Sequence, residues 1–472
     1  MEWPGLWRWD GTVDRGPFVI VGVLGFALKH NLDRLVATLY RRPWGLFNYV
    51  LPEPRTGISS FTPDDWMFYG SLVALALPFI WVGVGMTLRR LRACRLPTGL
   101  ISLFFVPLVN LIFFLVLSVI PTHREELPRG GPVTERLRRD PLARLIPTTA
   151  MGSAGLALLV TPIVGIPLVL LSTLYLQEYG WGLFVGLPFC LGMGSVMLYS
   201  YHGRRSFATC MAVAILSIAL LGLLLVALAV EGVFCIAMAS PIAAALAMLG
   251  GAFGYLLQLR VAPADYVVRT LGALLLAAPL IMGAEYVDPP VTPMLEAQSS
   301  VEIAADPAVV WRHVVSFADL PPPTEWLFRI GIAYPKRAEI EGTGPGAIRR
   351  CVFSTGAFVE PIEVWDEPRL LKFGVASNPA PMEEWTPYRR VRPPHLEGFF
   401  LSRAGQFRLV PLPDGGTRLE GTTWYVHHMW PAWYWGLWSD AVIHQIHLRV
   451  LRHIRELAES EARSGTTEAE PR

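Results

Sequence analysis

The sequence predicts two fold classes in one chain: an all-α membrane bundle of about eight spans, then an α+β domain in which a curved antiparallel sheet grips a long C-terminal helix. Three observations carry this. The 472 residues are 53% hydrophobic with a mean hydropathy of +0.41, too apolar for an ordinary soluble protein. The long apolar segments all precede Tyr286. Beyond it the pattern changes to short alternating runs punctuated by glycine and proline turns, which read as strands.

A bilayer-crossing helix needs about 20 mostly apolar residues. The segments that meet this are Pro17 to Tyr40, Met67 to Met86, Thr98 to Ile120, Ala150 to Leu176, Trp181 to Ser200, Ala208 to Val230, Gly232 to Gln258 and Tyr266 to Tyr286. The first contains Lys29, His30, Asp33 and Arg34. Lys29 and Asp33 are four apart and can pair on one helical face, and a half-inserted amphipathic helix is the alternative for this segment. It is followed by charge rather than by a small-residue cleavage site, so it is expected to be retained. The third segment is interrupted by Pro107 and Asn110, which suits a re-entrant path. Gly250 and Gly254 suit close helix packing. The other spans carry almost no ionisable residues at mid-depth, which argues against an ion-coupled transporter.

Short cytoplasmic loops carry excess Lys and Arg. Arg89, Arg90, Arg92 and Arg95 therefore mark one cytoplasmic loop, and Arg204, Arg205, Arg260 and Arg269 mark two more. The stretch from Arg124 to Arg144 conflicts with that count, being Arg-rich only one span later. Counted from the second half, the links at Glu178 and Glu231 lie outside, and the C-terminal domain emerges on the non-cytoplasmic side. A net charge of +2, with arginines scattered between apolar runs, excludes a nucleic-acid partner. Cys94, Cys190, Cys210 and Cys235 lie in or beside apolar segments and Cys351 alone in the soluble part. That distribution supplies neither a disulfide framework nor a Cys-based zinc site, and no cofactor or metal is expected.

The soluble part begins after Asp288-Pro289-Pro290. Val301 and Ile303 alternate with Glu302, Asp306 can cap the next helix, and Pro307 suits its first turn. Strands are predicted at Arg337 to Gly342, Ala347 to Ser354, Phe358 to Asp366, Leu370 to Ala376, Phe399 to Pro411 and Thr417 to His428, then a helix from Pro431 to Glu459. The domain organisation is thus 1–146 and 147–287 for two membrane regions, 288–298 for a linker, 299–460 for the soluble domain and 461–472 for a disordered tail.

The motifs that carry a resemblance are Ala304-Ala305-Asp306-Pro307 with Val310-Trp311, the glycine turn before Arg349-Arg350, Trp365-Asp366-Glu367-Pro368 before Leu370-Leu371-Lys372-Phe373, and Gly416-Thr417-Arg418-Leu419. On these, Ser299 to Ser460 resembles the START-like superfamily, also called SRPBCC or polyketide cyclase/dehydrase and lipid transport domains. No Rieske Cys/His pattern is present, which removes the dioxygenase branch. In the first region, Arg89-Arg90-Leu91-Arg92-Ala93-Cys94-Arg95, ahead of Val106-Pro107-Leu108-Val109, is partly similar to a small bacterial inner-membrane family of unknown function. That likeness implies a multi-pass bacterial inner-membrane setting and no chemistry.

The superfamily resemblance implies a cavity between sheet and last helix, suited to a hydrophobic guest such as a lipid. On that helix Ile443, Val450, Leu451, Ile454 and Leu457 form the apolar face, with Asp440, His444 and His447 on its margin at i, i+4 and i+7. They read as a hydrogen-bonded seam, as polar handles at a pocket rim, or as metal ligands or acid–base groups completed by His427, His428 or Glu420. Arg350 and Glu360 fall on neighbouring strands, placed either to pair in the cavity or to stand on the outer sheet face. The cluster Trp430-Pro431-Ala432-Trp433-Tyr434-Trp435 is either a membrane-side rim, through Trp430, Trp433 and Trp435, or core packing. The Pro-rich segment Asn378 to Pro394 is given no structure and is a candidate lid. The function expected is binding of a lipid or other hydrophobic molecule beside the bilayer, with no residue assigned to catalysis. The alternatives are a cyclase or dehydratase using the same pocket and a transporter or assembly factor working through the spans.

Overall fold

The computed structural model describes residues 5–49, 62–106, 109–120, 122, 141–260, 263–386 and 390–468. They fall into two compact units, one made of 1–226 and 239–291, the other of 227–238 and 292–472. The two membrane regions expected from the sequence thus cluster as one unit.

In the first unit, helices α1 (Arg15–Leu39), α2 (Pro63–Ala93), α3 (Val109–Val119), α4 (Ala150–Leu170), α5 (Leu187–Tyr199), α6 (Phe207–Ala227), α7 (Val233–Arg260) and α8 (Pro263–Val287) follow in chain order; the first turns of α7 belong to the second unit. Among the described residues six helices are long and apolar enough to cross a membrane: Pro63–Ala93, Ala150–Leu176, Gly182–Tyr199, Phe207–Ala227, Val233–Leu259 and Val267–Val287. Two of the eight predicted segments fall short. The helix α1 is too charged, and Lys29 does pair with Asp33, which also accepts from the Tyr49 hydroxyl. The third segment divides into a 3-10 stretch, Thr98–Phe105, and the short α3. Gly192 and Gly250 permit a close helix approach: a Cβ on either would sit 2.1 Å from the Ala247 or Phe189 carbonyl oxygen respectively.

The arginines counted for the first-half loop divide by their surroundings. Arg89 and Arg90 are not loop residues but lie inside α2, and both are buried. Arg90 donates to the carbonyls of Leu117 and Ile120 at the end of α3 and to Thr122 Oγ1, satisfying helix-terminal acceptors that have no partner within their own helix. Most of the Arg124 to Arg144 stretch lies outside the described residues.

The second unit carries strands β1 (Leu295–Ile303), β2 (Pro335–Glu341), β3 (Ile348–Phe353), β4 (Gly356–Asp366), β5 (Leu370–Gly374), β6 (Glu384–Trp385), β7 (Arg390–Val391), β8 (Phe400–Pro411) and β9 (Thr417–His427), with helices α9 (Pro307–Val315) and α10 (Ala432–Glu468). Seven strands form an antiparallel sheet in the order β1-β9-β8-β5-β4-β3-β2, and β6 pairs with β7 alone. The curled sheet and the helix it holds make a helix-grip fold. Asp306 caps α9 through the Ala308 amide at 2.8 Å. The inward residues of alternate strand positions, among them Ile303, Leu371, Phe373, Leu409 and Leu419, pack against Trp311 of α9 and against Val450, Leu451, Ile454 and Ala458 of α10.

Two boundaries differ from expectation. The first strand starts at Leu295, pairing with Tyr425, because the chain after the prolines is already extended along β9. The tail expected to be disordered from 461 continues α10 to Glu468; Glu461 is held there by Arg312 and by His313 Nε2 at 2.8 Å.

The grip makes a sharp stability contrast. Leu451→Ala, at a fully buried site, is expected to cost about 2–5 kcal/mol, and exposed Arg452→Ala under about 0.5 kcal/mol. Hydrogen exchange of the β9 amides in the full-length protein reads this, and equal effects of the two changes would contradict the helix-to-sheet packing.

Candidate ligand-binding site

Strand parity decides what points into the grip. In β3 the buried positions are Arg349, Cys351 and Phe353, and Arg349 stands directly opposite Glu360 on β4. The pair inside the domain is therefore Arg349–Glu360, not Arg350–Glu360. Arg350, one residue on, faces outward and pairs with exposed Glu341. Two adjacent arginines made the sequence ambiguous, since a one-residue change of register exchanges their faces.

Arg349 is 1% exposed. Its guanidinium lies 5.7 Å from the Phe317 ring and 5.5 Å from those of Phe373 and Phe407, a cation–π cage. One nitrogen, Nη1, donates to Glu360. Among the described residues Nε and Nη2 have no nitrogen or oxygen acceptor, and the buried Cys351 side chain is alongside. Burial pushes the Glu360 carboxyl above its usual range, while Arg349 pulls it back down. Arginine itself stays charged. Phe317 also lines a cleft of about 500 Å³ with His313, Ser316, Ala338, Ile340 and Leu457, between the end of α9, β2 and α10.

The expected handles on α10 form a separate seam. The Ser299 hydroxyl is shared by His444 Nδ1 at 2.7 Å and His447 Nδ1 at 3.2 Å. His447 Nε2 reaches Thr423 Oγ1 at 2.8 Å. Asp440 accepts from the Tyr425 hydroxyl at 2.6 Å rather than from a histidine, because Tyr425 is the inward residue of β9 at that level. The two histidines are thus tied to β1 and β9, and neither lines the cleft. Of the residues proposed to complete a site, Glu420 pairs with Arg418, His428 Nδ1 meets Thr292 Oγ1 at 3.0 Å, and His427 is buried. Arg449 of α10 is buried, pairing with Glu325 and contacting Phe328 and Tyr334.

The tryptophans separate by exposure. Trp430 and Trp435 are 3% and 4% exposed and belong to the core, whereas Trp433 and Leu437, one helical turn apart, are 64% and 65% exposed. The segment proposed as a lid is tied down. Asn378 bonds both backbone groups of Ser402, Ala333 N donates to Pro381 O and Glu383 N to Gly331 O, and β6 pairs with β7; Tyr388 lies outside the described residues. The Arg349 cage was missed in the sequence. Its only signal was an arginine at an inward position of a strand otherwise filled by Cys351 and Phe353.

No protein-family model matches the chain, and no curated protein matches it. Among solved structures it is similar to the Zhui aromatase/cyclase from Streptomyces, at 18% identity over 36% of this chain and 98% of that one, TM-score 0.25. It is also similar to a truncated norcoclaurine synthase from Thalictrum flavum, at 13% identity over 36% and 96%, TM-score 0.24. A third is a protein from Nitrosospira multiformis, at 16% identity over 36% and 99%, TM-score 0.24.

The seam makes the domain acid-sensitive. Burial, reinforced by His444, lowers the His447 pKa from 6.5 to about 4, so the folded state refuses a proton that the unfolded chain accepts. Its contribution is full above the unfolded value of 6.5 and is lost as pH falls towards 4, on the order of 3 kcal/mol by the lower limit. Urea unfolding from pH 7 to pH 4 should show a steeper loss for the wild type than for His447→Gln; parallel curves would refute the assignment.

Proposed function

We propose that this chain is a membrane-anchored binder of an amphiphilic small molecule, a lipid or similar guest whose anionic or carbonyl head meets Arg349 and whose apolar part occupies the grip. The observation that carries this is the Arg349 guanidinium, buried among Phe317, Phe373 and Phe407 with two nitrogens lacking an acceptor. A buried charge with unused donors is costly, and a ligand head supplies the acceptors. Six helices long and apolar enough to cross a membrane provide the anchor. Trp433 and Leu437, exposed together at the start of α10, are suited to dip into lipid headgroups.

The setting in this reading is a bacterial inner membrane, with the domain on the non-cytoplasmic face. Two features support that side. Arg204 and Arg205 precede α6, Arg260 ends α7 and Arg269 lies in the second turn of α8, so all four stay at the opposite ends of these helices in sequence from the α6–α7 link. That link, 227–238, folds as part of the C-terminal unit, and the two crossings of α7 and α8 return the chain to the link's side.

Two outcomes test the reading. Arg349→Met/Glu360→Leu removes both charges of the pair, which for buried pairs is close to neutral in stability, whereas Arg349→Met alone strands a buried carboxylate and costs about 3–5 kcal/mol. The double variant in nanodiscs should unfold near the wild-type temperature yet bind a fluorescent fatty-acyl probe at least tenfold more weakly, and equal affinity would reject Arg349 as the handle. For sidedness, Cys351 is buried and unsuited to labelling. Exposed Ser460→Cys should react in intact cells with a membrane-impermeant maleimide, and reaction only with permeant reagents would place the domain in the cytoplasm.

A further inference from the structure

Away from the grip, three side chains have the chemistry of a metal centre. Glu231 lies in the link before α7, Cys235 in the first turn of α7, and His395 in a 3-10 turn, Pro394–Leu396. All three are in the C-terminal unit. Their ligand atoms lie within 4.8 Å of one another. Cys235 Sγ is 2.8 Å from His395 Nε2, and Glu231 Oε2 is 3.5 Å from His395 Nδ1. Glu231 and His395 are 6% and 7% exposed, so this is not a solvated cluster of surface charge.

The surroundings are built to hold that geometry. The fully buried carboxylate of Glu384, on β6, accepts the backbone N–H of Cys235 at 2.7 Å and of Phe234 at 3.3 Å, fixing the turn that carries the thiol. Gly232 makes this possible, since a Cβ there would lie 1.8 Å from Glu384 Oε2. One turn further along, the Tyr434 hydroxyl donates to the Met238 carbonyl. Two segments about 150 residues apart in sequence are thus locked together around the three donors.

We propose that Glu231, Cys235 and His395 form a binding site for a zinc-class divalent cation, with Glu384 as a positioning residue. One thiolate, one imidazole and one carboxylate suit a borderline-soft ion such as Zn²⁺, whereas Mg²⁺ and Ca²⁺ take oxygen donors. On binding, Cys235 releases its thiol proton to solvent, and thiolate and carboxylate together balance the two positive charges. Bond lengths of about 2.0 to 2.3 Å separate tetrahedral donors by about 3.4 to 3.8 Å. Cys235 and Glu231 meet opposite ring nitrogens of His395, and the ion takes only one of them, so the imidazole or the carboxylate re-orients as the ion seats. Three protein donors leave the fourth position open to water or to an oxygen of a bound molecule.

The test uses the full chain in detergent, stripped with a chelator and reloaded with Zn²⁺ or Co²⁺. About one Zn²⁺ per chain by elemental analysis is expected, together with a thiolate-to-cobalt charge-transfer band in the near ultraviolet. Cys235→Ser should abolish the band and weaken Zn²⁺ binding at least tenfold, His395→Gln and Glu231→Gln should weaken it similarly, and Cys210→Ser should leave both unchanged. Uptake below a tenth of an equivalent by the wild type, or a band that survives Cys235→Ser, would overturn the proposal. If Cys235→Ser does not fold, the wild-type band and its loss in His395→Gln decide the matter.

Discussion

The C-terminal domain depends on one burial: the apolar face of α10 lying in the curve of the antiparallel sheet. Val450, Leu451, Ile454 and Ala458 are almost wholly removed from water there, and burying a large aliphatic side chain contributes about 1.5–3 kcal/mol. Everything of functional interest is placed relative to this contact. The inward parity of β1 and β9 brings Ser299, Thr423 and Tyr425 to the polar margin of the helix, and the inward parity of β3 and β4 brings Arg349 to Glu360. The seam and the cage are consequences of one alternation read on different strands.

Charge inside apolar surroundings follows a common rule among the described residues. Asp33 takes Lys29 and the Tyr49 hydroxyl. Glu285 accepts the amides of Trp181 and Gly182, where a helix would otherwise leave its first donors unpaired. Arg90 serves the opposite kind of terminus. Each buried charge is matched to a partner or a helix end, because a lone one costs several kcal/mol. Arg349 keeps two nitrogens without a nitrogen or oxygen acceptor among the described residues, which is why it, rather than the histidines of α10, anchors the functional reading.

The segment between α6 and α7 belongs to the same logic. Its Glu231 and Cys235 meet His395, and Glu384 caps the helix start that carries the thiol. The insertion from Asn378 onward is thereby a fixed part of the domain, not a free flap. The hydrophobic grip and a separate soft-donor cluster thus lie within one unit.

Local pattern was enough for the domain's elements. Alternation, turn glycines, the Asp306 cap and the 3.6-residue stripe of α10 located most strands of the sheet and the starts of α9 and α10, since each is a property of neighbours along the chain, whereas α10 runs past its expected end at Glu459 to Glu468. The eight apolar segments were read by the same means, and two fell short where Lys29 and Asp33, or the break before α3, changed the balance locally. Tertiary structure alone decided which of Arg349 and Arg350 faces inward, that Trp430 and Trp435 are core while Trp433 is exposed, and that Arg89 and Arg90 are structural. It also joined Cys235 to His395 across 160 residues. These outcomes depend on strand register and on groups far apart in sequence, and composition and spacing hold no information about either.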